Sequence, residues 1–219
     1  MDPAKPKGED SNFLAIIGDL VHSRHIRHRE HFQKQFHQAM TALNKKFSQV
    51  ITSPFTVTLG DEFQALLHNA APLFDIIAWL SRELAPHTFV LGLGVGPVET
   101  EIIRTTSVGM DGPCFRLART NVERSKKSPP RIRLSVNGLD AEVVNALFSF
   151  LEDLQQHHTP RQKMAIQWYE TLGNQQAVAQ QMGISQSAVS QILHNARYPL
   201  ILHSRNAIVT FINQFLNND

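Results

Sequence analysis

The spacing of apolar residues changes several times along the chain, and each change predicts an element. "FLAIIGD" (13–19) is a short unbroken apolar run closed by Gly-Asp, which predicts a buried strand. Between Glu30 and Phe47, the residues Phe32, Phe36, Met40, Leu43 and Phe47 recur at helical spacing. "FTVTLGDEFQALL" reads as strand, tight turn, strand, with Gly60–Asp61 at the turn. "APLFDIIAWLSREL" predicts an amphipathic helix with Pro72 in its first turn. "TFVLGLGVG" (88–96) predicts a strand whose glycines let another element approach closely. A helix over 113–127, a strand over 131–136 and a helix over 138–156 follow. The order is β-α-β-β-α-β with an extra helix and strand, the pattern of an α+β, ferredoxin-like sheet with helices on one face.

Beyond the polar stretch "QQHHTP" (155–160) the pattern becomes all helical. "TPRQKMAIQWYETLG" has Thr159 as N-cap, Pro160 at its first position and Gly173 at its end. In "QQAVAQQMGISQSAVSQILHN", Ala179 is small where two helices would cross. Gly183 stands four residues later at the turn, and Val189 returns to a core shared with Val178, Met182, Ile184 and Ile192. This is helix-turn-helix spacing, with Ser185 as N-cap of the second helix. The alternative is an ordinary helical hairpin. The expected organisation is a leader over 1–12, an α+β domain over 13–156 and a helix-turn-helix domain with a C-terminal helix over 157–219.

Composition narrows the class. Hydrophobic residues make up 42% and charged residues 18%, which suits a folded core. The formal charge of +2 is too small to indicate nucleic-acid binding by itself, so that role must come from local patches. One cysteine, Cys114, excludes an internal disulfide and is expected to be a buried thiol. The start lacks a signal-peptide core, and no apolar run approaches the roughly 18 residues of a membrane span. A cytoplasmic protein with no membrane partner is expected.

Two groups of residues carry candidate chemistry. On the second helix of the pair, Gln186, Ser187, Ser190, Gln191 and His194 form one polar stripe beside the capping Ser185. Glutamine suits bidentate contact with adenine, and serine suits bases or phosphates. Arg161, Lys163, Arg197 and Arg205 are placed to hold a duplex backbone, giving affinity without sequence choice. Double-stranded DNA is therefore the expected partner, and such readers usually act as homodimers. In the sheet, Asp19 ends the first strand and Asp61 sits at the hairpin tip, with Glu62 beside it. Oxygen ligands brought together there suit Mg2+ or Mn2+, with phosphates completing the shell. Ordinary turn duty for both aspartates is the competing explanation.

"FLAIIGDLVHSR", "TLGDEFQAL", "LGLGVGPV" and "GPCFRLARTNVERSK" resemble, in order and rough spacing, the motifs of class III nucleotidyl cyclase domains. "GDEF" is also reminiscent of diguanylate cyclases, whose palm domain is related. Taken together, "IIGDLVHSR", "GDEFQALL", "GVGPVET" and "DGPCFRLAR" look most like the SatD family, which often carries a C-terminal helix-turn-helix. The cyclase resemblance implies metal binding by Asp19 and Asp61, with Glu62 either a third ligand or merely solvated. It implies phosphate contacts along Leu20–Arg24, including Ser23 and Arg24, between Gly18 and Gly60. It places Arg119 where cyclases stabilise developing charge. A nucleotide ligand and a homodimer are implied as well. Two positions depart: Phe115 stands where cyclases have an asparagine, and Val57 where they have a base-selecting lysine. Neither side chain orients a ribose or reads a purine edge. That argues against cyclisation and leaves metal–nucleotide sensing or other phosphoryl chemistry open.

Other signals point to structure. His22, His25, His28, His31 and His37 drift around a helix and do not converge on one metal. With Arg24, Arg27 and Arg29 they read as a basic, solvated surface. "GLGVG" lacks the third glycine and following helix of a dinucleotide loop. "NAIVTFINQFL" (206–216) is apolar on one face, suited to packing on the first domain or to a dimer seam.

Overall fold

A computed structural model describes residues 11–216 apart from 22, 24, 25, 27 and 59. The chain is mixed α+β, with five strands in one sheet and eight helices among these residues. In chain order they are β1 (Asn12–Leu20), α1 (Arg29–Lys46), β2 (Ile51–Val57), β3 (Glu62–Leu67), α2 (Leu73–Glu83), β4 (Phe89–Pro97), α3 (Pro113–Lys127) and β5 (Ile132–Val136). There follow α4 (Glu142–His157), α5 (Pro160–Leu172), α6 (Gln175–Met182), α7 (Gln186–Asn195) and α8 (Tyr198–Leu216). Contacts divide the chain into two compact units, residues 1–146 with 209–219, and residues 147–208.

The sheet of the first unit runs β2-β3-β1-β4-β5. Its first three pairings are antiparallel, and β4 pairs with β5 in parallel. Residues 14–18 of β1 are all buried, as are residues 89–96 of β4. A strand that is apolar at every position has both faces covered, and that corrects the expectation of helices on one face. On one face Phe63 lies over its cross-strand partner Gly18 and meets Phe36 of α1, ring centroids 5.9 Å apart. On the other, Ala15, Ile17, Leu66 and Val90 pack against Cys114, Phe115, Ala118 and Val122 of α3.

The glycines of β4 set the distance to α3. A Cβ built on Gly92 would stand 1.9 Å from the Ala118 carbonyl oxygen, and one on Gly94 2.0 Å from that of Cys114. Only glycine lets the helix backbone come this near. Residues 209–216 of α8 also belong to this unit. Asn213 Oδ1 accepts the Ala70 N–H at 2.9 Å, and the Phe215 carbonyl accepts from Asn12 Nδ2 at 3.0 Å. Packing within this unit is one of the two uses expected for the C-terminal apolar face.

The second unit has its own core of Ala165, Val178, Ala179, Val189, Leu193 and Tyr198. Helix α5 begins with a complete capping box of Thr159 and Gln162, with Pro160 at its first position, and ends on Gly173. Helix α6 ends on Gly183 at φ +64°, and the next helix is capped by Ser185, whose hydroxyl accepts the Ala188 N–H.

Candidate functional site

Two clusters of the first unit's charges meet at the open end of β1 and β3. The Leu20 N–H donates to the Asp61 carbonyl at 3.1 Å, so residues 20 and 61 form a hydrogen-bonded pair. By alternation Asp19 and Glu62, direct partners in the register, form a non-hydrogen-bonded pair, where opposing side chains are closest. Both share a face with Ala15, Ile17 and Leu66, the face that α3 covers. Two like charges are thus set side by side, and α3 supplies the compensation. Arg119 donates through both terminal nitrogens to the two oxygens of Glu62, the Nη2–Oε1 bond measuring 2.9 Å. Seven residues on, the Lys126 ammonium reaches Asp19 Oδ2 at 2.9 Å and Glu123 Oε1 at 3.2 Å. Residues seven apart lie almost directly above one another on a helix, so the two cations form a column facing the two carboxylates.

The two acids respond differently. Burial pushes the Asp19 carboxyl above its ordinary range; Lys126 pulls against this, and the Asp61 and Glu62 charges add to it. Burial also pushes Glu62 up, but hydrogen bonds from Arg119 and from Thr58 Oγ1 (2.7 Å), with the nearby positive charges, outweigh it and hold the carboxyl low. Glu62 is only 4% exposed, so it is a buried carboxylate with a bidentate partner. Asp61, at the hairpin tip, accepts from the buried hydroxyl of Ser23.

Each residue singled out from the sequence has a place. Gly18 lies beneath the Phe63 ring, and Leu20 is buried beside the hairpin. Gly60 takes φ +64°, with the Arg29 guanidinium within 3.5 Å of where a Cβ would stand. Arg24, with His22, His25 and Arg27, lies outside the described residues. Asp19, Glu62 and Arg119 come together, while Asp61 is held by the backbone N–H of Leu20 and the hydroxyl of Ser23. Phe115 is packed in the core under the sheet and takes no part in this end of it. Cys114 is buried, its thiol pushed up to about 12 by burial. Lys126 and Thr58 were missed. Lys126 has a visible signal, its two-turn spacing from Arg119; Thr58 has none.

In the second unit Arg161 and Lys163 are exposed in the first turn of α5. Ser185, Gln186, Ser187, Ser190, Gln191, His194 and Arg197 are all exposed, while Val189 and Leu193 of the same helix are buried. The side of α7 away from the core is therefore polar over its whole length, with Arg197 just beyond it. Arg205 is engaged with Glu170 at 2.6 Å, so it contributes to packing within this unit.

Among the described residues no three His, Cys, Asp or Glu are grouped to hold a metal ion, and no helix is long and apolar enough to cross a membrane. Glu62 is committed to Arg119 and Thr58, Asp19 to Lys126 and Asp61 to Ser23, so each of the three carboxylates already has a partner. Mg2+ is typically held by one or two carboxylates, its remaining positions taken by water and substrate phosphates.

These features define a mixed α+β protein with a charge-paired sheet end and a separate helical unit that exposes a polar helix. The chain belongs to the SatD family, whose pattern matches residues 13–212. No curated protein matches it.

Proposed function

We propose that this protein is a DNA-binding transcription regulator whose first unit is a cyclase-like, ferredoxin-like palm domain that senses a nucleotide with Mg2+ or Mn2+. The observation that carries the reading is α7: a helix buried on one side through Val189 and Leu193 and exposed on the other through amides and hydroxyls. A turn at Gly183 with positive φ joins it to α6 around a shared core, as in a helix-turn-helix. Base edges in the major groove are read by such side chains, and Arg161, Lys163 and Arg197 are suited to the flanking phosphates. The strand order β2-β3-β1-β4 supports the palm reading, because a split β-α-β sheet places its first strand between the third and the fourth.

The test is selection of duplexes from a random pool by the full chain, followed by affinity measurements across a salt series. Binding that weakens with salt and prefers particular sequences is expected. Absence of salt-sensitive binding overturns the reading.

A second reading, a metal-dependent nucleotide enzyme, draws on the same cluster of Asp19, Asp61, Glu62 and Arg119. The metal would neutralise phosphate charge, and Arg119 and Lys126 would meet the remaining negative charge once released from their carboxylates. Incubation with each nucleoside triphosphate and Mn2+ separates the readings: turnover that is lost in Asp61→Ala favours the enzyme. Under the regulator reading, nucleotide and Mg2+ shift DNA affinity by roughly 5- to 150-fold, and Asp61→Ala abolishes the shift.

A further inference from the structure

Gln175 is the first residue of α6 and Gln186 the first of α7, and their amides meet. Gln186 Nε2 donates to Gln175 Oε1 at 2.6 Å. A carboxamide has two N–H donors and one carbonyl oxygen. With one N–H committed to Gln175, Gln186 presents a single donor beside a single acceptor. That arrangement complements adenine in the major groove, whose edge offers N7 as acceptor and the N6 amino group as donor. Gln191 is held in the same way, its Nε2 donating to Asn195 Oδ1 at 2.8 Å.

The two restraints differ in origin. Gln191 is held by its own helix one turn on, whereas Gln186 is held from α6, so the geometry of the pair fixes the amide plane of Gln186 relative to both helices. Gln186 also lies in the first turn of α7, where helix-turn-helix readers place their base contacts. Ordering a long exposed side chain at the moment of binding weakens a contact, and ordering it beforehand strengthens it.

We propose that Gln175 is a positioning residue for base reading, holding the Gln186 amide so that it selects adenine at one position of the bound duplex. The inference rests on the regulator reading and deepens it by naming the base and the residue that aims the reader.

The experiment uses the full chain and the duplex it selects from a random pool. Every position of that duplex is then replaced by each of the other three base pairs, and competition affinities are measured. The parent favours A·T at one position by about 5- to 150-fold. In Gln186→Ala that preference falls below twofold, with preferences at other positions kept. In Gln175→Ala it drops several-fold at the same position only. Gln175→Glu keeps an acceptor oxygen for Gln186 and so restores the preference, while its added charge lowers affinity for all duplexes alike. Unfolding midpoints are recorded for each variant, because a residue that only ties α6 to α7 would move the midpoint without a position-specific loss. Gln175→Ala that keeps the parent's preference, or loses preference evenly at all positions, overturns the inference. So does a parent preference that survives Gln186→Ala, and in that case the regulator reading stands. A parent that selects no sequence removes both.

Discussion

The sheet end of the first unit and the exposed side of α7 both gather polar side chains, and they use them in opposite ways. At the sheet end each described acid is matched: Glu62 with Arg119 and Thr58, Asp19 with Lys126, Asp61 with Ser23. On α7 Gln186 donates to the Gln175 amide of α6 and Gln191 to the Asn195 amide, and both glutamines are exposed. A buried charge must be matched or the fold loses stability. An exposed amide can be removed without that cost and matters only to what it touches. Under the proposed function, charge matching in the first unit serves stability and the exposed amides of the second serve recognition, and substitutions should separate the two.

The largest effect is expected where the backbone itself is in contact. Gly92→Val places side-chain atoms against the Ala118 carbonyl and should destabilise by about 3 kcal/mol or more, at the upper end of overpacking costs. Urea denaturation measures it, and a loss below about 1 kcal/mol would mean that α3 can lift off β4. Next comes Arg119→Met, which strands a buried carboxylate. A fully buried pair broken on one side costs roughly 3–5 kcal/mol; with the Arg119 side chain 43% exposed, about 2 kcal/mol is expected.

Acidity sharpens the same comparison. The Glu62 carboxyl is held below its usual 4.5, so its contribution to stability is present above that pH and is lost as pH falls through the folded value. Glu62→Gln should therefore cost stability at pH 7, and the gap to the parent should close on acidification. Asp19 runs the other way. Its carboxyl is raised above 3.8, so its contribution is present below 3.8 and lost as pH rises through the folded value. Asp19→Asn, which leaves Lys126 with Glu123, should be neutral or slightly stabilising at pH 7, with the difference fading below 3.8. Parallel pH–stability curves for the two variants would contradict this assignment.

Smaller effects belong to the second unit. Gly183 has nothing within 4 Å of a built Cβ, so Gly183→Ala costs only the left-handed backbone conformation, about 1 kcal/mol. Lys163→Ala should leave unfolding unchanged and reduce the slope of log affinity against log salt by about 0.9, one phosphate contact. A stability loss there, with the salt slope intact, would blur the division between the units.

Much of this was legible in the sequence. Apolar spacing located the strands and helices, and capping residues located helix ends to within a residue or two, as at Thr159, Gly173 and Ser185. What escaped was which face each residue takes. The unbroken apolar run of β1 signals two covered faces, yet nothing in it says that α3 covers the one bearing Asp19. Lys126 carries a spacing signal relative to Arg119, yet a helical lysine reads as solvated until its facing strand is known. Thr58 and the Gln175–Gln186 pair depend on loop and helix-end geometry that residue spacing does not encode.

Gly92, Gly94 and Gly96 alternate with larger residues, the period of a strand, and all three would bring a Cβ against α3 or its flanking residues. A phosphate-cradling loop gathers its glycines at a bend; here they lie along one face of an interior strand. "GLGVG" is accordingly a footprint of one helix on one strand. In a saturation mutagenesis library, alanine at positions 92 and 94 should be depleted as strongly as polar residues at the buried leucines. Such a screen would find side-chain intolerance at the two places where there is no side chain to lose.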